Sequence, residues 1–310
     1  MLFRSADKEG VWATKEETYV TNGAYKLDSW DHDAKMVFVK NDQYWDAENI
    51  TMKKITNYLS DDDTAILSAY KAGNYDFIDT VPNDEIDNLK ANNASELHID
   101  GQLGTYYVIF NNNMDILPES YTKGKTDAEI ATALNEVRNA LSLLIDRNYI
   151  CEQIGKAGQV PASSFVAMGL TDADGVTEFY KNANKKADGS YGYYSVKKDA
   201  LAANRAAAVE VLKKYYSVNN DKVKDFPQIT YLYNTGSGHQ AIAEYIQATF
   251  AEYGITMKLE NQEWGTFLDT RKKGDYTIAR NGWLGDYNDP ISFLDMWTSK
   301  SGNNDAQFGK

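Results

Sequence analysis

Residues 279–290 read ARNGWLGDYNDP, and the elements on either side of them decide the fold. The alternation over Tyr276–Ile278 predicts a strand. Asp289 and Pro290 predict a helix start, because a carboxylate accepts free N–H groups there and proline needs none in the first turn. The segment is therefore predicted to be a strand-to-helix loop with glycines, a tryptophan, an arginine and a carboxylate. Loops at such crossings in α/β sheets are common ligand sites.

The local pattern leaves two interpretations of this loop open. In the first, Trp283 and Asp286 contact a bound ligand. In the second, Trp283 is a core side chain, Asp286 is a solvated carboxylate, and Gly282 and Gly285 only permit turns.

The preceding residues alternate between strands and helices, with Gly254 and Gly274 predicted to end the two helices. The predicted order is strand 229–233, helix 242–253, strand 255–259, helix 264–272 and strand 276–280. Helices that join successive strands indicate a mostly parallel sheet with right-handed crossovers. Their apolar stripes are expected to form the core, since each buried large side chain is worth about 1.5–3 kcal/mol.

The first 215 residues predict further elements of the same kind, with a domain crossing near Gly101–Gly104. They are a hairpin of 23–30 and 35–40, a strand 52–59, a helix from Asp61–Asp63 to Gly73, a strand 75–79, a helix from Asn83 to Ala91, a strand 103–111, a helix 130–145, an irregular stretch 156–195 and a helix 201–215. The alternation indicates an α/β protein.

Composition excludes several classes of function. The net charge of −13 argues against nucleic acid and against an anionic membrane surface as partners. A single cysteine, Cys151, excludes an internal disulfide and a cysteine-built zinc site. The N-terminus lacks the apolar core of a signal peptide, which leaves a cytosolic protein or a fragment of a longer one. The last eight residues form no closing element, which favours a fragment.

No constellation of residues indicates catalysis. The three histidines, His32, His98 and His239, lie far apart with no metal-binding spacing, and the sequence lacks phosphate-binding glycine motifs and a nucleophile elbow. We predict a protein that is not an enzyme and uses neither cofactor nor metal. Aromatic residues make up 13% of the chain, a composition that suits ligand recognition or the cover of a large sheet.

Ordered motifs along the chain resemble family 5 extracellular solute-binding proteins, the peptide-binding components of ABC importers. Asn22–Leu27 (NGAYKL) and Asn41–Asp46 (NDQYWD) resemble the family signature near the start. Similar matches are Ile145–Arg147, Tyr233–Thr235, Glu260–Trp264 and Thr266–Arg271. Residues 279–293 match most closely and resemble the oligopeptide-binding branch.

The resemblance implies a type II periplasmic-binding-protein-like fold with two α/β lobes around a cleft, here truncated, with mixed sheets flanked by helices. It assigns residues 1–102 to an incomplete lobe one and residues 103–310 to most of lobe two. It implies capture of oligopeptides outside the cytoplasm, in the periplasm or lipid-anchored at the outer face of the cell membrane. The implied partners are short peptides and ABC transporter permease subunits, with the protein itself a monomer.

The resemblance also implies a set of ligand-binding residues. Asp286 occupies the position of the carboxylate that pairs with the peptide's α-ammonium group, and a buried charge of this kind requires a partner. Backbone groups of Gly282 and Leu284 are expected to bind the peptide as an added strand. The remaining residues that align near bound peptide are Trp283, Arg271, Arg280 and His239.

Two questions stay open at this point. Where some relatives carry a lysine for the peptide C-terminus, this chain has Glu152–Lys156 (EQIGK), so the recognition of that end and the preferred peptide length are not assigned. A non-peptide ligand of the same fold, such as nickel, heme or an oligosaccharide, is the alternative, although Asp286 favours an amine-bearing ligand.

Overall fold

The computed structural model describes residues 14–182, 185–187 and 189–310. Within them the chain divides into two compact units between Thr80 and Val81. This division concerns compactness alone, and the expected lobe boundary between residues 102 and 103 stays a prediction.

A three-stranded antiparallel sheet in the order β1–β2–β3 forms the first unit, followed by helix α1. The bounds are β1 Tyr25–Asp31, β2 Lys35–Lys40, β3 Lys54–Tyr58 and α1 Asp63–Lys71, with single 3-10 turns at Glu16–Thr18 and Ala47–Asn49. The Asp62 carboxylate caps α1 by accepting the Ala65 N–H at 2.9 Å, and Gly73 follows the helix with a positive φ of 76°. The predicted hairpin, strand and capped helix are confirmed.

The predicted strand over residues 75–79 is wrong. A strand requires a neighbour for its backbone N–H and C=O groups, and no strand among the described residues pairs with this stretch. Tyr75 instead stacks on Tyr58 at the end of β3, with ring centroids 5.1 Å apart, while Phe77 is 79% exposed.

Helices and strands alternate along the second unit. Its bounds are α2 Ile86–Asn92, β4 Gly104–Phe110, α3 Glu119–Thr122, α4 Asp127–Leu144, α5 Arg147–Tyr149, a π-helix Ile150–Gly155, α6 Leu201–Leu212, β5 Val218–Asn219, β6 Lys222–Val223, β7 Ile229–Asn234, α7 Ser237–Glu252, β8 Met257–Gln262, α8 Trp264–Lys273, β9 Ile278–Leu284 and α9 Ile291–Leu294. Single 3-10 turns lie at Asn83–Glu85, Phe179–Asn182, Lys198–Ala200 and Asp295–Trp297. The irregular stretch predicted over residues 156–195 is largely as predicted where it is described; residues 183, 184 and 188 of it lie outside the described residues.

The main sheet has the order β4–β9–β7–β8. Strands β7, β8 and β9 are parallel, as the helical connections predict, and β4 pairs with β9 in the antiparallel sense. The largest apolar cluster of the unit includes side chains of α4, α6 and α7 together with residues of β7. Its fully buried members include Val137, Leu141, Leu212, Tyr231 and Phe250.

The last strand is longer than the sequence indicates. We expected the strand to end at Arg280 and a loop to begin there, but β9 continues to Leu284. Its neighbour β4 supplies the reason, because the register runs without interruption to the pair of Gly104 and Leu284. Glycines suggest a turn only when no neighbouring strand fixes the backbone. The turn therefore begins at Gly285, and α9 follows Asp289 and Pro290 as predicted.

Candidate functional site

The pairing of β9 with β4 determines which backbone groups of β9 are free. At one end of this ladder the Asn111 N–H donates to the Thr277 carbonyl at 3.0 Å, and at the other the Gly285 N–H donates to the Leu103 carbonyl at 2.9 Å. In an antiparallel pair the residues alternate between those that bond the neighbour and those that face away. The backbone N–H and C=O groups of the odd-numbered residues of β9 therefore bond to β4. Those of the even-numbered residues point to the opposite edge of the strand.

On that other side the edge of β9 is largely unpaired. Strand β7 pairs with β9 only at Ile278 and Ala279, so it ends before the last five residues of β9. The Arg280 carbonyl accepts a hydrogen bond from the guanidinium of Arg271, and the Gly282 N–H donates to Oδ1 of Asn281 at 2.8 Å. Among the described residues no strand pairs with the outward groups of Gly282 and Leu284. An extended backbone can add here as a strand.

The guanidinium of Arg280 lies beside this open edge and is surrounded by aromatic rings. It is 5.4–5.8 Å from the ring centroids of Tyr106, Trp264 and Phe267. The Arg280 side chain is buried, with the residue 8% exposed, and its Nε donates to Oδ1 of Asn234 at 2.7 Å. No carboxylate of the described residues pairs with it. Burial lowers the pKa of Arg280, as expected for a cation without a counter-charge.

His239 lies at the start of α7 and contacts the same group of side chains. Its Nδ1 is 3.3 Å from the Tyr106 hydroxyl, and the two rings stack with centroids 5.6 Å apart. Burial, and then the positive charge of Arg280, lower the pKa of His239 from 6.5 to about 4. His239 is therefore neutral at pH 7, and the positive charge of the site belongs to Arg280.

Arg271 of α8 differs from Arg280 because it has an internal counter-charge. Its Nε lies 2.7 Å from Oδ2 of Asp305, and both side chains are buried. Its Nη1 donates to the Arg280 carbonyl at 3.4 Å, and its Cζ lies 4.8 Å from the Phe267 ring centroid. These contacts fix Arg271 within the protein. Its predicted contact with a ligand stays a prediction.

Asp286 and Trp283 lie at the other end of the site, where β9 leads into α9. The Asp286 side chain is exposed, and its carboxylate has no partner among the described residues. Trp283 is half-buried against a small apolar cluster that contains Phe293 and Leu170. Its indole N–H donates to the Ser292 carbonyl at 2.7 Å. Trp283 therefore packs in part against the core, and its predicted contact with a ligand stays a prediction.

All seven predicted site residues belong to the second unit, and five of them lie on β9 or directly after it. Sequence reasoning missed several residues that hold them in place. The most direct are Asn234 beside Arg280, Tyr106 beside His239, and Ser292 beside Asp286. Asn234 belongs to the motif Tyr233–Thr235 that carries the family resemblance, but no local pattern assigns it a role.

The described residues contain no group of three or more histidine, cysteine or acidic side chains that could hold a metal ion. Within the same residues no helix is both long and apolar enough to cross a membrane. The arrangement offers a buried cation, an exposed carboxylate and a free strand edge between them.

Comparison with known families identifies the chain. The model of bacterial extracellular solute-binding proteins, family 5 Middle, matches residues 3–305. The chain belongs to this family. Family 5 proteins are solute-binding proteins and not enzymes, in agreement with the predicted absence of catalysis.

Among the curated relatives of this family-5 chain are two oligopeptide-binding proteins. The oligopeptide-binding protein OppA of Bacillus subtilis is 29% identical in an alignment of 306 positions that covers 96% of this chain and 50% of the relative. The periplasmic oligopeptide-binding protein OppA of Salmonella typhimurium is 30% identical, over 98% of this chain and 50% of the relative. The chain thus spans about half the length of the curated relatives it matches.

A solved structure of the family extends the similarity to the fold. The Haemophilus influenzae OppA complex with the peptide RPPGFSPFR is 28% identical and superposes with a TM-score of 0.78. The match covers 98% of this chain and 53% of that structure. The predicted fold class, a periplasmic-binding-protein-like α/β fold of type II, is confirmed.

Proposed function

We propose that this chain contributes the peptide-binding site of a protein that captures oligopeptides outside the cytoplasm and delivers them to an ABC transporter. The observation that carries the proposal is the pair of uncompensated charges along β9. Arg280 is a buried cation with no carboxylate partner, and Asp286 is an exposed carboxylate with no cationic partner. A free peptide has the complementary pair, an α-ammonium group and an α-carboxylate.

The geometry supports one direction for the ligand. In the proposed arrangement the peptide ammonium pairs with Asp286, and the C-terminal carboxylate lies toward Arg280 and His239. The peptide then runs antiparallel to β9 along the open edge at Gly282 and Leu284. Strand residues rise about 3.4 Å each, so Arg280 and Leu284 are roughly 14 Å apart along the strand. That span suits a ligand of a few residues.

The backbone contacts account for broad specificity. Every peptide offers the same N–H and C=O groups to Gly282 and Leu284, whatever its side chains. Trp283 and the exposed face of Trp264 provide apolar surface for side chains without selecting a particular one. The two OppA relatives are oligopeptide-binding proteins, which supports the same ligand class.

The remaining parts of the proposal come from family membership. The proposed transporter partner is the permease of an ABC importer. The proposed location is the periplasm or, with a lipid anchor, the outer face of the cell membrane. Residues 1–102 are proposed to belong to the first lobe and residues 103–310 to the second, with the protein acting as a monomer.

Calorimetric titration with a tripeptide panel tests the function. The panel consists of trialanine, its N-acetylated form and its C-terminal amide, and it is applied to this chain and to the full-length protein if the chain is part of one. Trialanine is expected to bind, and each blocked form is expected to bind at least tenfold more weakly, because it leaves Asp286 or Arg280 without its partner. Equal binding of all three peptides would contradict the two-charge site. Binding of none by the full-length protein would contradict peptide capture.

A further inference from the structure

We propose that Ser292 is a positioning residue that holds Asp286 and Trp283 in the arrangement that receives the ligand's amino end. The inference rests on the proposed function, since it concerns how the ammonium-binding carboxylate is kept in place. Ser292 does not reach the ligand itself, because it is 1% exposed and lies beneath the turn.

Ser292 contacts both residues through different oxygens. Its Oγ accepts the backbone N–H of Asp286 at 2.7 Å, and its carbonyl oxygen accepts the indole N–H of Trp283, also at 2.7 Å. One buried residue thus fixes the main chain beneath the carboxylate and the plane of the neighbouring indole. Among the described residues, the bond to Ser292 Oγ is the one hydrogen bond recorded for Asp286.

Ser292 is itself held firmly by its own helix. The Ser292 N–H donates to the carbonyl of Asp289 at 3.1 Å, and the carboxylate of Asp289 accepts the Ile291 N–H at 2.8 Å. The next residue, Phe293, is fully buried in the apolar cluster of Val166 and Leu170. The serine is therefore a fixed point to which the preceding turn is attached.

The residue before Asp286 is attached to a different element. The Gly285 N–H donates to the Leu103 carbonyl at 2.9 Å, next to β4. A side chain at this position is excluded, since a Cβ on Gly285 would lie 2.9 Å from Cε2 of Phe293. The N–H of Gly285 thus bonds to the residue before β4, and the N–H of Asp286 bonds to a residue of α9. The backbone is fixed by these two bonds, while the Asp286 carboxylate has no partner in the described part of the chain.

This arrangement matters because an exposed loop carboxylate otherwise loses conformational freedom when it binds a ligand. Ordering of a loop and of a side chain opposes binding, and a group held in its bound position avoids that cost. A hydrogen bond between a main-chain N–H and a buried hydroxyl is a means of holding the backbone without neutralising the carboxylate. Ser292 thus prepares Asp286 for an ammonium group and leaves its charge uncompensated.

The variant Ser292→Ala separates the two contacts. Alanine lacks Oγ but keeps the carbonyl, so the bond to Trp283 stays and only the bond to Asp286 is lost. We expect trialanine to bind about three- to tenfold more weakly to Ser292→Ala, the effect of one lost hydrogen bond. Ser299→Ala, which removes an exposed hydroxyl from the same region, is the matched control and is expected to bind like the wild type.

A double-mutant cycle distinguishes positioning from a general structural role. In an Asp286→Asn background, which lacks the charge that is being positioned, Ser292→Ala is expected to change affinity less than twofold. Binding of N-acetyl-trialanine is likewise expected to change little. Equal losses in both backgrounds would show that Ser292 supports the fold in general, and the positioning role would be wrong.

Hydrogen exchange supplies a test without ligand. In Ser292→Ala the Asp286 amide is expected to exchange faster, while the Gly285 amide, bonded to Leu103, keeps its rate. Unchanged exchange at Asp286 would overturn the inference. If the wild type binds trialanine and Ser292→Ala binds it equally well, only the positioning role is wrong. If the full-length wild type binds no peptide, the proposed function is wrong and the positioning role is rejected with it.

Discussion

The Nε atom of Arg280 donates a hydrogen bond to Oδ1 of Asn234 at 2.7 Å, so within the described part of the chain the buried guanidinium is bonded to a neutral amide and not to a carboxylate. An amide orients the cation without compensating its charge. A buried cation without a counter-charge destabilises the folded protein, and a ligand carboxylate removes that penalty. The uncompensated charge of Arg280 therefore lowers the stability of the free protein and, in the proposed function, favours the binding of a carboxylate.

Replacement of Arg280 by methionine is expected to affect binding and stability differently. Arg280→Met removes the carboxylate partner, so trialanine should bind more weakly by about 2–5 kcal/mol. The free energy of unfolding should fall by less than about 1 kcal/mol or rise, because an apolar side chain of similar length replaces an unpaired buried charge. Calorimetric titration and urea unfolding measure the two effects.

The C-terminal amide of trialanine is the control for this variant. It lacks the carboxylate, so the wild type and Arg280→Met should bind it with similar affinity. An equal loss of affinity for the free acid and for the amide in Arg280→Met would mean that the peptide carboxylate does not bind at Arg280.

Replacement of Arg271 by methionine should instead destabilise the protein. Arg271 is paired with Asp305 at 2.7 Å, and its removal leaves a buried carboxylate unpaired. Loss of one partner of a buried pair costs about 3–5 kcal/mol, which urea unfolding can detect. A second substitution, Asp305→Asn, should restore part of the stability by removing the orphaned charge. Equal stability of Arg271→Met and the wild type would mean that the pair contributes nothing to folding.

The elements predicted correctly from the sequence are those whose signals are local. Helix α8 combines an apolar face with Gly274, which ends the helix with a positive φ of 79°. Strand β9 was predicted too short because its last residues are strand only by virtue of pairing with β4. The stretch 75–79 has a strand-like composition but no neighbour, and composition cannot supply one.

The residues of the candidate site also divide into those with a local sequence signal and those whose role depends on the fold. Asp286 and Trp283 were found because they lie in a motif that resembles a known family. Asn234 lies 46 residues from Arg280, and its role follows only from the parallel strands that bring the two together. The sequence also does not distinguish Arg271 from Arg280, since the difference between them is the carboxylate of Asp305.

Asp286→Asn is expected to weaken the binding of trialanine by about 2–5 kcal/mol, because the asparagine leaves the peptide ammonium group without a counter-charge. Stability should hardly change, since the carboxylate is exposed and unpaired in the free protein. Calorimetric titration measures the affinity, and Asp295→Asn, an exposed acid of the same segment, is the control. Unchanged affinity in Asp286→Asn would refute the ammonium assignment.

His239 makes the stability of the fold depend on pH, and the sign follows from its pKa. Burial and Arg280 lower that pKa from 6.5 to about 4, so between these values the unfolded chain binds a proton that the folded chain does not. Acid therefore favours unfolding, and the contribution of His239 to stability should decrease as the pH falls from about 6.5 to 4.

Urea unfolding at pH 7 and pH 5 measures this contribution when the wild type is compared with His239→Gln. Glutamine cannot take up the proton, so the variant should lose less stability between the two pH values than the wild type does. His98→Gln, which replaces an exposed histidine, should keep the wild-type dependence. Carboxylates affect all three proteins alike and cancel in the comparison. An equal pH dependence in wild type and His239→Gln would mean that folding does not shift the pKa of His239, and the lowering of that pKa by burial and by Arg280 would be refuted.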